Sequence, residues 1–256
     1  VTDATPTERA DDIDLLARAG LDVLAMSAPT LAFDGNGPAK ILLADHALPA
    51  LDDLVDQMRI ARADSRRIAV HCVTAAALVL ALAAWDAVGI EPGDRVEHGS
   101  VIPDDLVPAL AGNELTVVTQ PNFVAERGDD YLAEVDTADQ PLLYRCRSLL
   151  DAAVPLAFGT DAPFGDPDPW KAIAAATLRR TASGKSVLPA EAVDPQTALA
   201  RFLSSAWAPG GPPRRVEHRA PADVVLLQAP LADVLANPSA DAVRMTMRAG
   251  EVVFGR

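Results

Sequence analysis

Short apolar runs alternate with stretches of helical periodicity along most of this chain. The strand-like runs are Leu21–Met26, Ala39–Asp45, Ile68–Val73, Arg95–His98, Leu115–Gln120 and Pro155–Asp161. Between them, helical patterns are expected near residues 7–19, 50–64, 74–88, 103–112, 140–153, 168–183 and 194–204. This repeated alternation predicts βα units around a parallel sheet, hence an α/β fold of the (β/α) TIM-type barrel class.

The last part of the chain follows a different pattern. Pro209-Gly-Gly-Pro-Pro213 is a turn-rich linker, and it precedes two strand-like runs without strong helical periodicity, Ala222–Leu227 and Val243–Phe254. We therefore predict a barrel domain over residues 1–208 and a small C-terminal β appendage over residues 209–256.

Four ionisable residues lie inside or at the end of different strand-like runs: Lys40, His71, His98 and Asp161. In a (β/α) barrel the active site is built at the carboxyl ends of the strands, so polar groups there are typical of catalysis. Because each residue comes from a separate run, the four side chains can converge on one point. A metal-binding or acid–base site is the chemistry that such a set favours.

Each of these residues also has a purely structural interpretation. An isolated histidine in an apolar run is commonly a hydrogen-bonded core residue, but His71 and His98 occupy equivalent positions of successive strands and are two of only four histidines. Asp161 opens a turn-rich loop and could cap it. His46 and His218 lie in loop-like contexts and are expected at the surface.

Lys40 is unusual because the chain has only three lysines and places one in an apolar run. Burial lowers the pKa of an ammonium group toward the neutral amine. A neutral amine can add carbon dioxide and form a carbamate that bridges two cations. The alternative is that Lys40 lies at a strand entrance with its head in water.

Composition narrows the class of protein. The net charge of −14 disfavours nucleic acid and anionic lipid as partners. The most apolar stretch, Ala75–Trp85, is far shorter than the about 20 residues that cross a bilayer, so it predicts a buried helix. Only two cysteines are present, so no disulfide framework is expected. We expect a cytoplasmic protein that acts on a small molecule.

Several motifs together resemble the amidohydrolase superfamily, in the branch called amidohydrolase family 3. They occur one per βα unit and cover almost the whole chain. The matching stretches are Gly37-Pro-Ala-Lys-Ile41, Val70-His-Cys-Val-Thr74, Arg95-Val-Glu-His-Gly99, Thr119-Gln-Pro121, Gly159-Thr-Asp-Ala-Pro163 and Ala220-Pro-Ala-Asp-Val-Val-Leu-Leu227.

The resemblance implies a role for each candidate residue. Lys40 would be the fourth-strand lysine, which can be carboxylated, His71 and His98 the fifth- and sixth-strand metal ligands, and Asp161 the eighth-strand aspartate. Substrate-binding residues would be Gln120, Asn122, Arg127, Tyr131 and Trp170. The tail would contribute to a composite β-sandwich built from both chain ends.

The resemblance also implies the reaction. One or two divalent cations, with zinc expected, would activate water for attack on the carbonyl of a carbon–nitrogen bond other than a peptide bond. Asp161 would take the proton from that water and pass it to the leaving nitrogen. The chain has no Gly-x-Ser-x-Gly motif, which agrees with a reaction that needs no covalent intermediate.

Two positions depart from the family pattern. No His-x-His pair occurs in the sequence, although relatives carry one on the first strand. Where many relatives continue with Gly-Asp after the histidine of the fifth strand, this chain has Cys72-Val-Thr-Ala75. We therefore expect a barrel that is incomplete at its N-terminal strands, with open edges that favour a homodimer.

Two other interpretations stay open at this point. The chain can be a catalytically inactive, truncated remnant, or a partner subunit whose metal site is completed by an N-terminal segment or another chain. It can also be an unrelated α/β binding protein whose histidines belong to the core. In that last case the chain would bind no metal through His71 or His98.

Overall fold

Five consecutive parallel strands form the central sheet, and each strand lies beside the one before it in the chain. The structure is a computed structural model that describes residues 23–31 and 37–255. The strands are β1 (Ala39–Leu42), β2 (Ile68–Cys72), β3 (Arg95–His98), β4 (Thr116–Thr119) and β5 (Leu156–Phe158). A parallel sheet in sequential order, with helices in the connections, confirms the predicted α/β class and is the arrangement found in (β/α) barrels.

The register of this sheet places several polar residues on one face. Lys40 pairs with Ala69, and Ala69 pairs with Arg95. Two residues further along the same two strands, His71 pairs with Glu97. Residues paired across neighbouring strands point to the same face of the sheet, and so do alternate residues of one strand. The side chains of Lys40, His71, Arg95 and Glu97 therefore lie on one face of the sheet.

Two helices connect the first three strands, α1 (Leu51–Ala63) and α2 (Ala75–Val88). Helix α1 is amphipathic and buries Leu54, Val55, Met58 and Ala61 against its neighbours. Helix α2 begins at Thr74, whose side chain accepts a hydrogen bond from the Ala77 amide. It buries Ala77, Leu78, Ala81, Ala84 and Trp85, which confirms the buried helix predicted from the apolar stretch.

The described residues pack as two compact units. The first contains the described residues up to Thr119 together with Val135–Ala157 and Ser205–Gly211. It includes the short helices α3 (Val107–Gly112) and α5 (Arg147–Asp151). The second contains Gln120–Glu134, Phe158–Ser204 and the tail from Pro212 onward. The boundary predicted at residue 209 stays a prediction.

The second unit is mostly helical, with a separate small sheet. Helix α4 (Asn122–Glu134) packs against α6 (Pro169–Leu178), and α6 packs against α7 (Pro195–Phe202). The tail forms a three-stranded antiparallel sheet, as predicted for the β appendage. Its elements are β6 (Val224–Leu227), α8 (Leu231–Ala236), β7 (Val243–Arg248) and β8 (Glu251–Gly255).

Two helices were not expected from the sequence, α4 and α8. Helix α4 contains Gly128 in its interior, which weakens a helical pattern by about 1 kcal/mol relative to alanine. That glycine lets the helix approach Thr181 closely, because an added Cβ would lie 2.7 Å from the Thr181 methyl group. Packing within the second unit therefore outweighs the low helix propensity of Gly128.

Several predicted elements differ in the structure, and the run Ala39–Asp45 is a strand only as far as Leu42. The helix expected over residues 140–153 is a 3₁₀ turn, Gln140–Leu142, followed by α5, and Tyr144 between them has a left-handed backbone with φ 44°. The helix expected over 168–183 ends at Leu178, because Arg179 has φ 49°. The last strand-like run of the barrel ends at Phe158 instead of Asp161.

Little of the predicted N-terminal region can be compared. The helix expected over residues 7–19 lies outside the described residues, as do Leu21 and Asp22. The described remainder of the Leu21–Met26 run forms no named strand, and Ser27 makes an isolated parallel bridge with Ala39. None of the helices within the described ranges has the length and apolarity needed to cross a lipid bilayer.

Candidate metal centre

Two imidazole rings meet at the ends of neighbouring strands in the first unit. His71 is on β2 and His98 ends β3. Their ring centroids are 4.3 Å apart and the rings are edge to face, at 71°. Two of the predicted metal ligands are therefore close enough to contact one ion.

The backbone at the end of β3 brings His98 to this position. In a continued strand, His98 would point away from the face that carries His71 and Glu97. Instead His98 has φ 70° and Gly99 has φ 54°. These two successive left-handed residues end the strand. A residue other than glycine rarely adopts the left-handed backbone conformation, because it costs free energy.

Gly99 is needed for this turn. A Cβ at Gly99 would lie 3.0 Å from both Ile102 Cδ1 and Val117 Cγ1, and φ is positive there. The close approach and the backbone conformation each disfavour larger residues.

Lys40 is buried beside the histidine pair. The residue is 2% exposed, so the interpretation that its head lies in water is wrong. The pKa of His71 is lowered to about 3 by burial first, and then by the neighbouring His98 and Lys40. His71 is therefore a neutral imidazole at neutral pH, which is the form that binds metals.

A buried ion pair that the sequence reasoning missed lies on the same face. Arg95 Nε donates to Glu97 Oε1 at 2.6 Å, and the two side chains are 3% and 4% exposed. Burial raises the pKa of Glu97, but the charges of Arg95, Lys40 and His98 outweigh it and leave that pKa below its ordinary value. The i,i+2 spacing of Arg95 and Glu97 in a strand is the signal that could have revealed the pair.

Asp161 lies in the second unit, in the loop that follows β5. It is half-buried and has φ 55°, and its carbonyl accepts a hydrogen bond from the Gly165 amide at 3.0 Å. Two of the predicted substrate-binding residues contact this loop. Asn122 Nδ2 donates to Thr160 O at 3.1 Å, and Arg127 Nη2 donates to Phe164 O at 2.5 Å.

The other predicted substrate residues are spread over the second unit. Gln120 is buried directly after β4, Tyr131 is half-buried on α4, and Trp170 is half-buried in the first turn of α6. The Trp170 amide donates to Asp168 Oδ1 at 2.9 Å, which caps the helix. Their role in binding a substrate stays a prediction.

The residues of the first unit fit part of a metal-binding site. Two imidazoles in contact are suitable donors for a divalent cation. Over the ranges that the structure describes, however, no three His, Cys, Asp or Glu side chains converge so as to hold a metal ion. Lys40 could supply a third ligand only after it loses a proton or is carboxylated, since an ammonium group has no lone pair to donate.

The fold is shared with solved hydrolase structures. A metal-dependent hydrolase of Pyrococcus horikoshii OT3 is 23% identical with a TM-score of 0.67, over 79% of this chain and 50% of its own. Aspergillus niger ochratoxinase is 18% identical with a TM-score of 0.55, over 85% and 50%. A Xaa-Pro dipeptidase is 14% identical with a TM-score of 0.57, over 96% and 57%.

At such identities these similarities concern the fold alone, and this chain spans about half the length of the first two proteins. No functionally curated protein matches the sequence. The model of the Amidohydrolase family, in contrast, matches residues 5–254, nearly the full length. The chain belongs to the Amidohydrolase family.

Proposed function

We propose that this chain provides the catalytic part of a metal-dependent hydrolase that cleaves a carbon–nitrogen bond next to a carbonyl group. The observation that carries the proposal is the contact between His71 and His98 at the ends of adjacent parallel strands, with ring centroids 4.3 Å apart. Membership of the Amidohydrolase family supports the same chemistry.

In this proposal His71 and His98 hold a divalent cation, with zinc as the expected metal. When bound, such a cation polarises a carbonyl oxygen and lowers the pKa of water toward neutrality. Carboxylation of Lys40 would convert its amine into an oxygen donor and would remove a positive charge from beside His71. The buried Arg95–Glu97 pair would keep this face of the sheet balanced in charge.

Proton transfer is assigned to Asp161. Its carboxylate would accept the proton from the attacking water and return it to the leaving nitrogen as the bond breaks. Gln120, Tyr131 and Trp170 remain proposed substrate contacts. Asn122 and Arg127 each use a side-chain nitrogen to hold the backbone near Asp161, so their part in substrate binding is secondary in this proposal.

The bond type defines the substrate panel. We expect amides and related carbonyl compounds other than ordinary peptides. One structurally similar protein is a Xaa-Pro dipeptidase, so dipeptides ending in proline belong in the panel as well. Release of amine or amino acid from N-acyl amino acids, formamides, cyclic ureas and these dipeptides would be measured with added zinc, for wild type and the His98→Ala variant.

Hydrolysis of one class by wild type, lost in His98→Ala, would support the proposal. An unchanged rate in His98→Ala would contradict it, since the activity would not depend on the histidine pair. Wild type loaded with metal and inactive on the whole panel would also contradict the proposed bond class.

A second candidate is a subunit whose metal centre is completed by another polypeptide. Two observations favour it. No three metal-binding side chains converge among the described residues, and the sequence contains no His-x-His pair. In that case the isolated chain would bind metal weakly and hydrolyse nothing. Metal content of the purified chain separates the two candidates.

A further inference from the structure

The loop formed by residues 159–168, here called the Asp161 loop, connects β5 to α6 and is fastened to one turn of helix α4. Asp161 has φ 55° in this loop. A left-handed aspartate is sparsely populated and persists where the surroundings hold it in place. The contacts that hold this backbone come from three side chains of the first two turns of α4.

Asn122 makes the first of these contacts. The residue is 1% exposed, and its Nδ2 donates to Thr160 O and to Glu126 Oε1, both at 3.1 Å. Both partners are hydrogen-bond acceptors, so the NH2 group of the Asn122 amide, and not its oxygen, must face them. The carbonyl directly before Asp161 is thereby fixed.

Glu126 makes the second contact, from the position one turn along the same helix face. The oxygen that accepts from Asn122 also accepts from the Asp166 amide at 3.2 Å. One carboxylate oxygen therefore links both ends of the short segment from Thr160 to Asp166. Because residues i and i+4 of a helix are neighbours, Asn122 and Glu126 act on the loop as one unit.

Arg127 makes the third contact. Its guanidinium group lies 4.3 Å from the centroid of the Phe123 ring, and Nη2 donates to Phe164 O at 2.5 Å. The Asp161 loop is thus held at residues 160, 164 and 166. Gly165 packs directly on this surface, because a Cβ there would overlap Thr160 O and Asn122 Nδ2.

We infer that Asn122 and Glu126 are positioning residues that hold Asp161 in its left-handed conformation through Thr160 and Asp166. This inference rests on the proposed role of Asp161 in proton transfer. Glu126 acts as a hydrogen-bond acceptor, and its negative charge is not the feature that matters. Its contacts with Asn122 Nδ2 and the Asp166 amide connect it to Asp161 through the loop backbone.

Glu126 is the residue to vary, because it is exposed and its replacement leaves the core intact. Glu126→Ala removes the acceptor, whereas Glu126→Gln keeps an oxygen in the same place. Asp130→Ala is the matched control, an exposed carboxylate one turn further along α4. Hydrogen–deuterium exchange at the Asp166 and Gly165 amides reports the state of the loop without any substrate.

We expect exchange at these amides to be about tenfold faster in Glu126→Ala than in wild type, the effect of one lost hydrogen bond. Glu126→Gln and Asp130→Ala should exchange at the wild-type rate. Equal rates in Glu126→Ala and Asp130→Ala would overturn the inference. Equally fast exchange in Glu126→Gln and Glu126→Ala would also overturn it, because the charge would then be what matters.

Hydrolysis in the same preparations separates this inference from the proposed function. On any substrate that wild type cleaves, Glu126→Ala should lower kcat about tenfold with little change in KM, and Glu126→Gln should restore kcat. A loosened loop with unchanged kcat would overturn the positioning role. A loosened loop in a chain whose wild type cleaves no substrate would contradict the proposed function and leave the loop contacts established.

Discussion

The end of β3 shows how single residues set the geometry of the candidate centre. His98 and Gly99 both have a left-handed backbone, and together they turn an imidazole toward His71 that strand alternation would direct elsewhere. The sequence could indicate both histidines as ligands from their positions in successive apolar runs. The turn could not be predicted from the sequence, because histidine rarely adopts positive φ and no local sequence pattern indicates this conformation.

Replacement of Gly99 tests this turn. Gly99→Ala should destabilise the fold by about 2–3 kcal/mol, because left-handed strain and overpacking against Ile102 and Val117 add together. Gly89→Ala is the control, since Gly89 has φ 84° with nothing within 4 Å of the added Cβ. It should lose only about 1–2 kcal/mol. Urea denaturation measures both, and equal losses would show that packing at Gly99 is unimportant.

His71 should make stability depend on pH. Its pKa is lowered to about 3 in the folded chain, by burial and then by His98 and Lys40, from 6.5 for an ordinary histidine. Between these values the unfolded chain binds a proton that the folded chain does not. The stabilising effect is therefore complete above about pH 6.5 and is lost as pH falls toward 3.

The comparison is between metal-free wild type and His71→Gln. Urea midpoints measured from pH 7 to pH 5 should fall more steeply for wild type, since glutamine does not titrate. Parallel curves for the two proteins would mean that His71 has the same pKa in the folded and unfolded chains.

At the level of elements, Asp94 joins two helices to the sheet. Its buried carboxylate accepts hydrogen bonds from the Ile68 amide at 2.8 Å, from Trp85 Nε1 at 3.1 Å and from the Glu91 amide at 3.0 Å. It also forms an ion pair with Arg62 of α1. One side chain thus fixes α1, the end of α2 and the start of β2.

Asp94→Asn should destabilise the first unit by about 3–5 kcal/mol. The side-chain NH2 group of asparagine would face hydrogen-bond donors, and Arg62 would lose its buried charge partner and keep only the half-exposed Glu91, at 3.7 Å. Asp56→Ala is the control, since Asp56 forms an exposed ion pair with Arg59 on the same helix. That variant should change stability by less than about 1 kcal/mol. A small loss in Asp94→Asn, measured by thermal unfolding, would contradict the role of Asp94 as a junction.

The elements differ in how far they could be predicted. The five sheet strands and helix α2 could be predicted because they coincide with apolar runs, and helix α1 because its apolar face matches its burial. Helix α7 could be predicted from its helical periodicity, although Ala198 is the residue that it buries. Helix α4 was missed because Gly128 and several polar residues interrupt its pattern, and its contacts with α6 and the Asp161 loop are long-range. For the same reason the sequence indicates Asn122 and Arg127 only as substrate residues, whereas in the structure both hold a loop.

Across the whole molecule, the family is established and the chain spans about half of the P. horikoshii protein that it resembles. Two imidazoles are in contact, and within the described residues no third conventional ligand joins them. Apolar residues of the tail sheet, including Val225, Val252 and Val253, are exposed. The expected homodimer, the zinc and the cytoplasmic location stay predictions.

Metal content tests the central claim most directly. Elemental analysis of the purified chain would compare wild type with His71→Ala and His98→Ala, and with His218→Ala as an exposed control in the tail. We expect close to one divalent ion per chain in wild type and in His218→Ala, and its loss in both other variants. A well-folded wild type without metal, or metal retained in His71→Ala and His98→Ala, would contradict the assignment of this histidine pair as a metal centre.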